Sequence, residues 1–105
     1  MQTKVTFRHF KSQHPELHVL AVDAADNFQH FHDNIIATNV EFINDEYKIV
    51  EFTVHLNGGT LVSKDSSDDF HKSLNAASDK MVRQLNKWKT KHSDVRPRNA
   101  EIANL

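Results

Sequence analysis

Between residues 36 and 64 apolar and polar residues alternate, and two clusters of turn-forming residues interrupt the alternation. Ile36, Thr38, Val40 and Phe42 fall on one side of an extended chain, with Asn39 and Glu41 on the other. Val50, Phe52, Val54 and Leu56 then alternate with Glu51, Thr53 and His55. A period of two is that of a strand with one face buried. Asn44-Asp45-Glu46 supplies the first turn. Asn57-Gly58-Gly59 supplies the second and stronger one, because glycine tolerates the positive φ of a tight hairpin. Thr60 to Lys64 is expected to return as a short fourth strand. Such a meander leaves an apolar face that another layer must cover.

The flanking segments provide that layer. Lys4 to Phe10 alternates again, with Val5 and Phe7 on one side and Lys4, Thr6 and Arg8 on the other, which predicts a first strand. Ser12 or His14 precedes Pro15, and proline suits the first turn of a helix. Leu17, Leu20, Ala21, Ala24, Phe28 and Phe31 recur at spacings of three and four, so residues 15–33 read as an amphipathic helix. Phe70, Leu74, Ala77, Met81, Leu85 and Trp88 mark a second helix, with Asp68 or Ser67 as its expected cap. The predicted fold is α+β: a two-layer β-α-β-β-β-α sandwich, four strands with two helices on one face. The first strand re-enters the sheet after a helix, which favours a parallel pairing with the second. Phe7, Phe28, Phe31, Phe42, Phe52, Phe70 and Trp88 all sit at core periods. Residues 1–92 are expected to form one domain, and residues 93–105, with Pro97 and no sustained period, a flexible tail.

Composition closes several functional classes. The 105 residues include no cysteine, so disulfides, thiolate metal sites and cysteine nucleophiles are excluded. No apolar run approaches the roughly 20 residues of a membrane span. The expected setting is the cytoplasm, with no membrane partner.

Charge is distributed unevenly. Residues 1–79 carry six Lys/Arg and twelve Asp/Glu, a net of −6, whereas residues 80–105 carry seven and two, a net of +5. At about 100° per residue, Lys80, Arg83, Lys87 and Lys91 share one stripe of the last helix, beside the stripe of Met81, Leu85 and Trp88. Asp79 is the only acid between residues 70 and 93, so the stripe lacks the acidic i,i+4 partners of an ordinary solvated helix face. Arg96 and Arg98 carry positive charge beyond it. Phosphates along a nucleic-acid backbone suit such a row, with Gln84 and Asn86 as further hydrogen-bonding groups. Lys80, Arg83, Gln84, Lys87 and Lys91, together with Arg8 and His30, are the candidate RNA-binding residues. A protein-interaction module, with the basic stripe as a solubilising face, is the competing reading, and general double-stranded-RNA binding is a third.

Other chemistry finds little support. His14 and His18 are four apart on a helix, as two metal ligands would be, but no thiolate or recognised carboxylate pattern completes a site. His30 and His32 would point about 200° apart if helical. Asp68-Asp69 is explained by capping, and Ser12, His14, Ser66 and His71 form no nucleophile motif. Asn57-Gly58-Gly59 is not a phosphate loop. No enzyme activity, cofactor, metal or small-molecule substrate is expected.

The segment GGTLVSKDSSDDFHKSLNAASDKMVRQLNKWKTKH resembles the ribosome hibernation promoting factor and ribosome-associated inhibitor family, also called sigma-factor modulation proteins. The shared features are the Asn-Gly hairpin, the short Leu-Val strand, Asp69-Phe70 at a helix start, and K-x-x-R-Q-L-x-K. The resemblance implies a β-α-β-β-β-α domain similar to a double-stranded-RNA-binding fold. It also implies binding to the small ribosomal subunit and its rRNA, in the mRNA and tRNA channel, to silence ribosomes in stress or stationary phase. Lys80, Arg83 and Lys87 match the family's basic positions on the second helix, and Lys91 continues the row. On the first helix this chain departs from the pattern. Ala24, Asn27 and His30 stand where relatives carry basic residues, Asp23 and Asp26 add negative charge, and His30 and His32 are expected to substitute in part at acidic pH. The resemblance further implies a short form of the family, monomeric when free.

Overall fold

The computed structural model describes residues 1–12 and 14–92, the side chains of residues 90–92 excepted. Its elements are β1 (Gln2–Arg8), α1 (Pro15–Phe28), β2 (Ile35–Asn44), β3 (Lys48–Leu56), β4 (Gly59–Ser67) and α2 (Phe70–His92). This is the expected β-α-β-β-β-α order. The strands form one sheet in the order β1-β2-β3-β4. β1 runs parallel to β2, with Val5 opposite Val40 and Phe7 opposite Phe42, and the remaining pairs are antiparallel. The tail expected at residues 93–105 lies outside the described residues.

One face of the sheet carries the core. Val40, Phe42, Val50, Phe52 and Val54 are fully buried there, beneath Leu17, Ala21 and Phe28 of α1 and Leu74, Ala77, Met81 and Leu85 of α2. Burying each of the larger side chains contributes roughly 1.5–3 kcal/mol before entropy. Phe28 meets Phe52 edge-on at 5.1 Å between ring centroids, which ties α1 to the middle of the sheet. At the other end Phe7, Phe10, Phe42 and Phe70 form a continuous aromatic group joining β1, β2 and the start of α2.

Several boundaries differ from expectation, each for a physical reason. β1 stops at Arg8 because His9 adopts φ 66°, a left-handed conformation that breaks the extended chain. α1 ends at Phe28 rather than residue 33. Gln29, His30 and Phe31 donate to carbonyls three residues back, so the chain tightens into a turn in which Phe31 still reaches the core. His30 and His32 are therefore not helical. On β2 the alternation shifts by one residue. Ile36 was expected in the core but is 59% exposed, and Ile35 is buried instead. An irregularity between Ile35 and Ala37 causes the shift, since an extra residue in a strand flips every side chain before it.

β4 continues to Ser67, three residues beyond the expected end. Its later core-side residues are polar because their partners lie on α2. The Ser63 hydroxyl donates to the Ala77 carbonyl at 2.8 Å, and Ser67 and Ser73 hydroxyls lie 2.7 Å apart. The cap of α2 is Asp69, not Ser67 or Asp68. Asp69 Oδ1 accepts the His71 backbone N–H at 3.1 Å, and that bond holds its carboxyl below the usual carboxylate range. Ser67 instead accepts the Asp69 backbone N–H with its hydroxyl. Asp68 pairs with Lys72 one helical turn on.

Candidate nucleic-acid interface

α2 lies along the outer edge of β4. Lys80 Nζ donates to the Lys64 carbonyl at 3.2 Å, and Gln84 Nε2 donates to the Val62 carbonyl at 2.7 Å. The spacing explains why these two residues can work together. Four residues of helix advance about 6 Å and two residues of strand about 6.6 Å, so side chains at i and i+4 match alternate carbonyls. Those carbonyls belong to an edge strand that would otherwise offer unpaired acceptors to another chain. Farther along, Trp88 packs over the hairpin, where a Cβ on Gly59 would overlap its ring. Gly58, at φ 103°, makes the turn itself.

The basic row lies beside the buried seam, as the sequence predicts. Met81 and Leu85 are wholly buried, while Lys80, Arg83 and Lys87 are exposed. The row is not uniform, however. Lys80 Nζ also sits 3.1 Å from Asp65 Oδ2. This bond, with the Ser66 backbone N–H, holds the Asp65 carboxyl below the usual carboxylate range. Lys80 and Gln84 thus serve the β4 edge first. Arg83 and Lys87, one turn apart, make no side-chain hydrogen bond or ion pair among the described residues. The side chain of Lys91 lies outside the described residues, as do Arg96 and Arg98.

Two further candidates lie elsewhere. Arg8 is on the open face of the sheet at its opposite edge, bound to Glu41 at 2.9 Å. It does not join the α2 row. His30 sits in the turn after α1, in a cleft of about 200 Å³ shared with Phe31, His32, Asp33, Asn34 and Lys89. His32 Nδ1 accepts the Asn34 backbone N–H at 3.1 Å, which requires that nitrogen to be unprotonated. Lys89 borders this cleft, although the stripe reading passed over it because it falls on the other flank of α2.

His14 and His18 line a cleft of about 470 Å³ with Phe7, Pro15 and Val19. His14 Nδ1 lies 3.3 Å from Glu16 Oε1. Among the described residues, no three His, Cys, Asp or Glu side chains gather as metal ligands. The outward face of α1 is acidic: Glu16, Asp23 and Asp26 are all exposed, and no Lys or Arg occurs between Lys11 and Lys48. Lys64 is exposed on β4 and meets the row only through its backbone carbonyl; its side chain lies on the other face of the sheet from Ser63 and Asp65, which bond to α2. No described helix is long and apolar enough to cross a membrane.

Residues 3–93 match the family model described as sigma 54 modulation protein / S30EA ribosomal protein. The chain belongs to that family. Among solved structures, a ribosomal subunit interface protein from Coxiella burnetii is 27% identical, with a TM-score of 0.78, over 86% of this chain and 99% of the other. The N-terminal domain of Protein Y from Thermus thermophilus shares the fold, with a TM-score of 0.72 at 16% identity over 84% of this chain and 99% of that one. No curated protein matches the chain. Within the sigma 54 modulation / S30EA family, then, this member combines a basic α2 flank with an acidic α1.

Proposed function

We propose that this chain is a non-enzymatic factor that binds the small ribosomal subunit through rRNA and occupies the channel used by mRNA and tRNAs. It thereby inhibits translation under stress or in stationary phase. The observation carrying this reading is the pair of exposed, unpaired cations Arg83 and Lys87 on a rigidly seated helix. A row seated this way meets phosphates with little reorganisation, and counter-ion release supplies the affinity. Family membership and the likeness to a subunit interface protein support the same partner. The domain acts as a cytoplasmic monomer before it binds, and the mechanism is steric, requiring no cofactor.

Sucrose-gradient sedimentation of a stationary-phase lysate tests the proposal. Co-migration with small subunits or whole ribosomes is expected, and the R83E/K87E variant should migrate with free protein. Wild-type protein found wholly in the free fractions would overturn the ribosome reading in favour of a protein-interaction module. Equal affinity for any duplex RNA would instead identify a general RNA-binding domain.

A further inference from the structure

We propose that the cleft between α1 and β1, together with the outward face of α1, is a docking surface for a lysine- and arginine-rich segment of another protein. An apolar side chain of that segment enters the cleft, and its cations meet Glu16, Asp23 and Asp26. The surface is separate from the basic flank of α2 and goes beyond the ribosome-binding reading.

The cleft comes first. It has a volume of about 470 Å³, and the described residues lining it are Phe7, His14, Pro15, His18 and Val19. That size lies in the range of ligand-holding sites, roughly 300–1,000 Å³. A phenyl ring, a proline and a valine on its walls, with no carboxylate, lysine or arginine among those residues, suit an apolar guest.

α1 continues the surface. Leu17, Ala21, Ala25 and Phe28 are its buried side. At about 100° per residue Val19 points almost directly away from them, and Glu16, Asp23 and Asp26 lie within about 60° of Val19. Val19 is 57% exposed, a branched apolar group standing in water among three exposed carboxylates. It belongs both to the cleft wall and to the acidic face, so one footprint covers the apolar anchor and the charges.

Charge selects the occupant. No Lys or Arg occurs between Lys11 and Lys48. Asp23 and Asp26 make no side-chain hydrogen bond or ion pair among the described residues, and Glu16 has only His14, at 3.3 Å. A nucleic acid or an anionic membrane would set its phosphates against these carboxylates. A purely apolar partner would fill the cleft but desolvate the carboxylates with nothing to replace water. A cationic segment with an apolar anchor satisfies both halves, and basic arms of this kind occur on proteins that bind nucleic acid.

The test titrates a fluorescently labelled synthetic peptide, KRKLRKR, with the full chain and reads its anisotropy, while circular dichroism confirms that each variant folds. Wild-type protein should bind the peptide, and exchanging its leucine for serine should weaken binding by about tenfold or more, as expected when an apolar group leaves a buried site. V19D, which sets a carboxylate at the cleft, should weaken binding by about tenfold, and D23K/D26K by at least as much. E51Q removes a charge from the sheet face away from the helices and should leave affinity within about twofold. Equal binding of the leucine and serine peptides would reduce the effect to unspecific charge attraction and overturn the docking site. Undiminished binding by V19D or by D23K/D26K would place the peptide elsewhere and overturn it as well. Sedimentation equilibrium showing dimers that D23K/D26K dissociates would make a second copy the occupant, through its basic α2 flank, in place of another protein.

Discussion

Lys80 Nζ lies 3.1 Å from Asp65 Oδ2, so the first cation of the basic row is also a tie between α2 and the last strand. The pair is partly exposed, at 49% and 28% for the two side chains, and an ion pair in that setting contributes about 0.2–1 kcal/mol. Its effect on placement is larger than its energy, because the same ammonium holds the Lys64 carbonyl. Reversing the charge at position 80 would set a carboxylate beside Asp65 and leave that carbonyl without its donor.

Charge reversal along the row should therefore separate two roles. K80E should lower both the urea midpoint and ribosome affinity, whereas R83E/K87E should lower affinity with the midpoint nearly unchanged. A double-mutant cycle of K80A and D65A should show coupling of about 0.2–1 kcal/mol. Parallel urea titrations and sedimentation assays check both outcomes.

Acid should weaken the fold through three carboxylates. Asp65 is held below its ordinary range chiefly by Lys80, Asp69 by the His71 backbone N–H, and Glu16 by its own backbone N–H and then His14. Each binds its proton more weakly folded than unfolded. Their stabilisation is thus fully present above the unfolded values, near 4, and is lost as pH falls through the lower folded values. Urea midpoints should show no loss from these groups between about pH 7 and 5 and a decline below about 4. D65N should make that decline shallower.

Gly59 and Trp88 should behave as a coupled pair. A methyl group at position 59 would overlap the indole ring, so G59A should cost about 1–3 kcal/mol and shift tryptophan fluorescence. Shortening the ring in a G59A/W88L double variant should recover part of that loss. Additive losses in thermal unfolding would show that the contact does not limit the site.

Ser73 joins the start of α2 to β3. It is fully buried, and its hydroxyl donates to the Lys48 carbonyl at 2.6 Å. S73A should cost about 1–3 kcal/mol, because the bonded carbonyl and the neighbouring Ser67 hydroxyl lose a partner. D69A should also lower the urea midpoint, through the lost cap. Chemical denaturation of the two single variants checks both losses.

Element types and order were legible in the sequence because they follow from local period: two for the strands, near 3.6 for the helices. Val50, Phe52, Val54 and Leu56 on β3, and Met81 and Leu85 on α2, are buried as their spacing requires. The basic flank of α2 was legible for the same reason, since a helix fixes which of its own residues share a face. Element ends and the commitments of individual cations were decided by contacts between segments distant in sequence. The exposed Ile36 depends on how β2 pairs with β3, and the length of β4 depends on serines bonded across to α2. The residues that Lys80, Gln84 and Arg8 bind lie 15 or more positions away in the chain. Periodicity acts within one segment and can say which way a side chain points; which acceptor it meets is settled only when strands and helices pack.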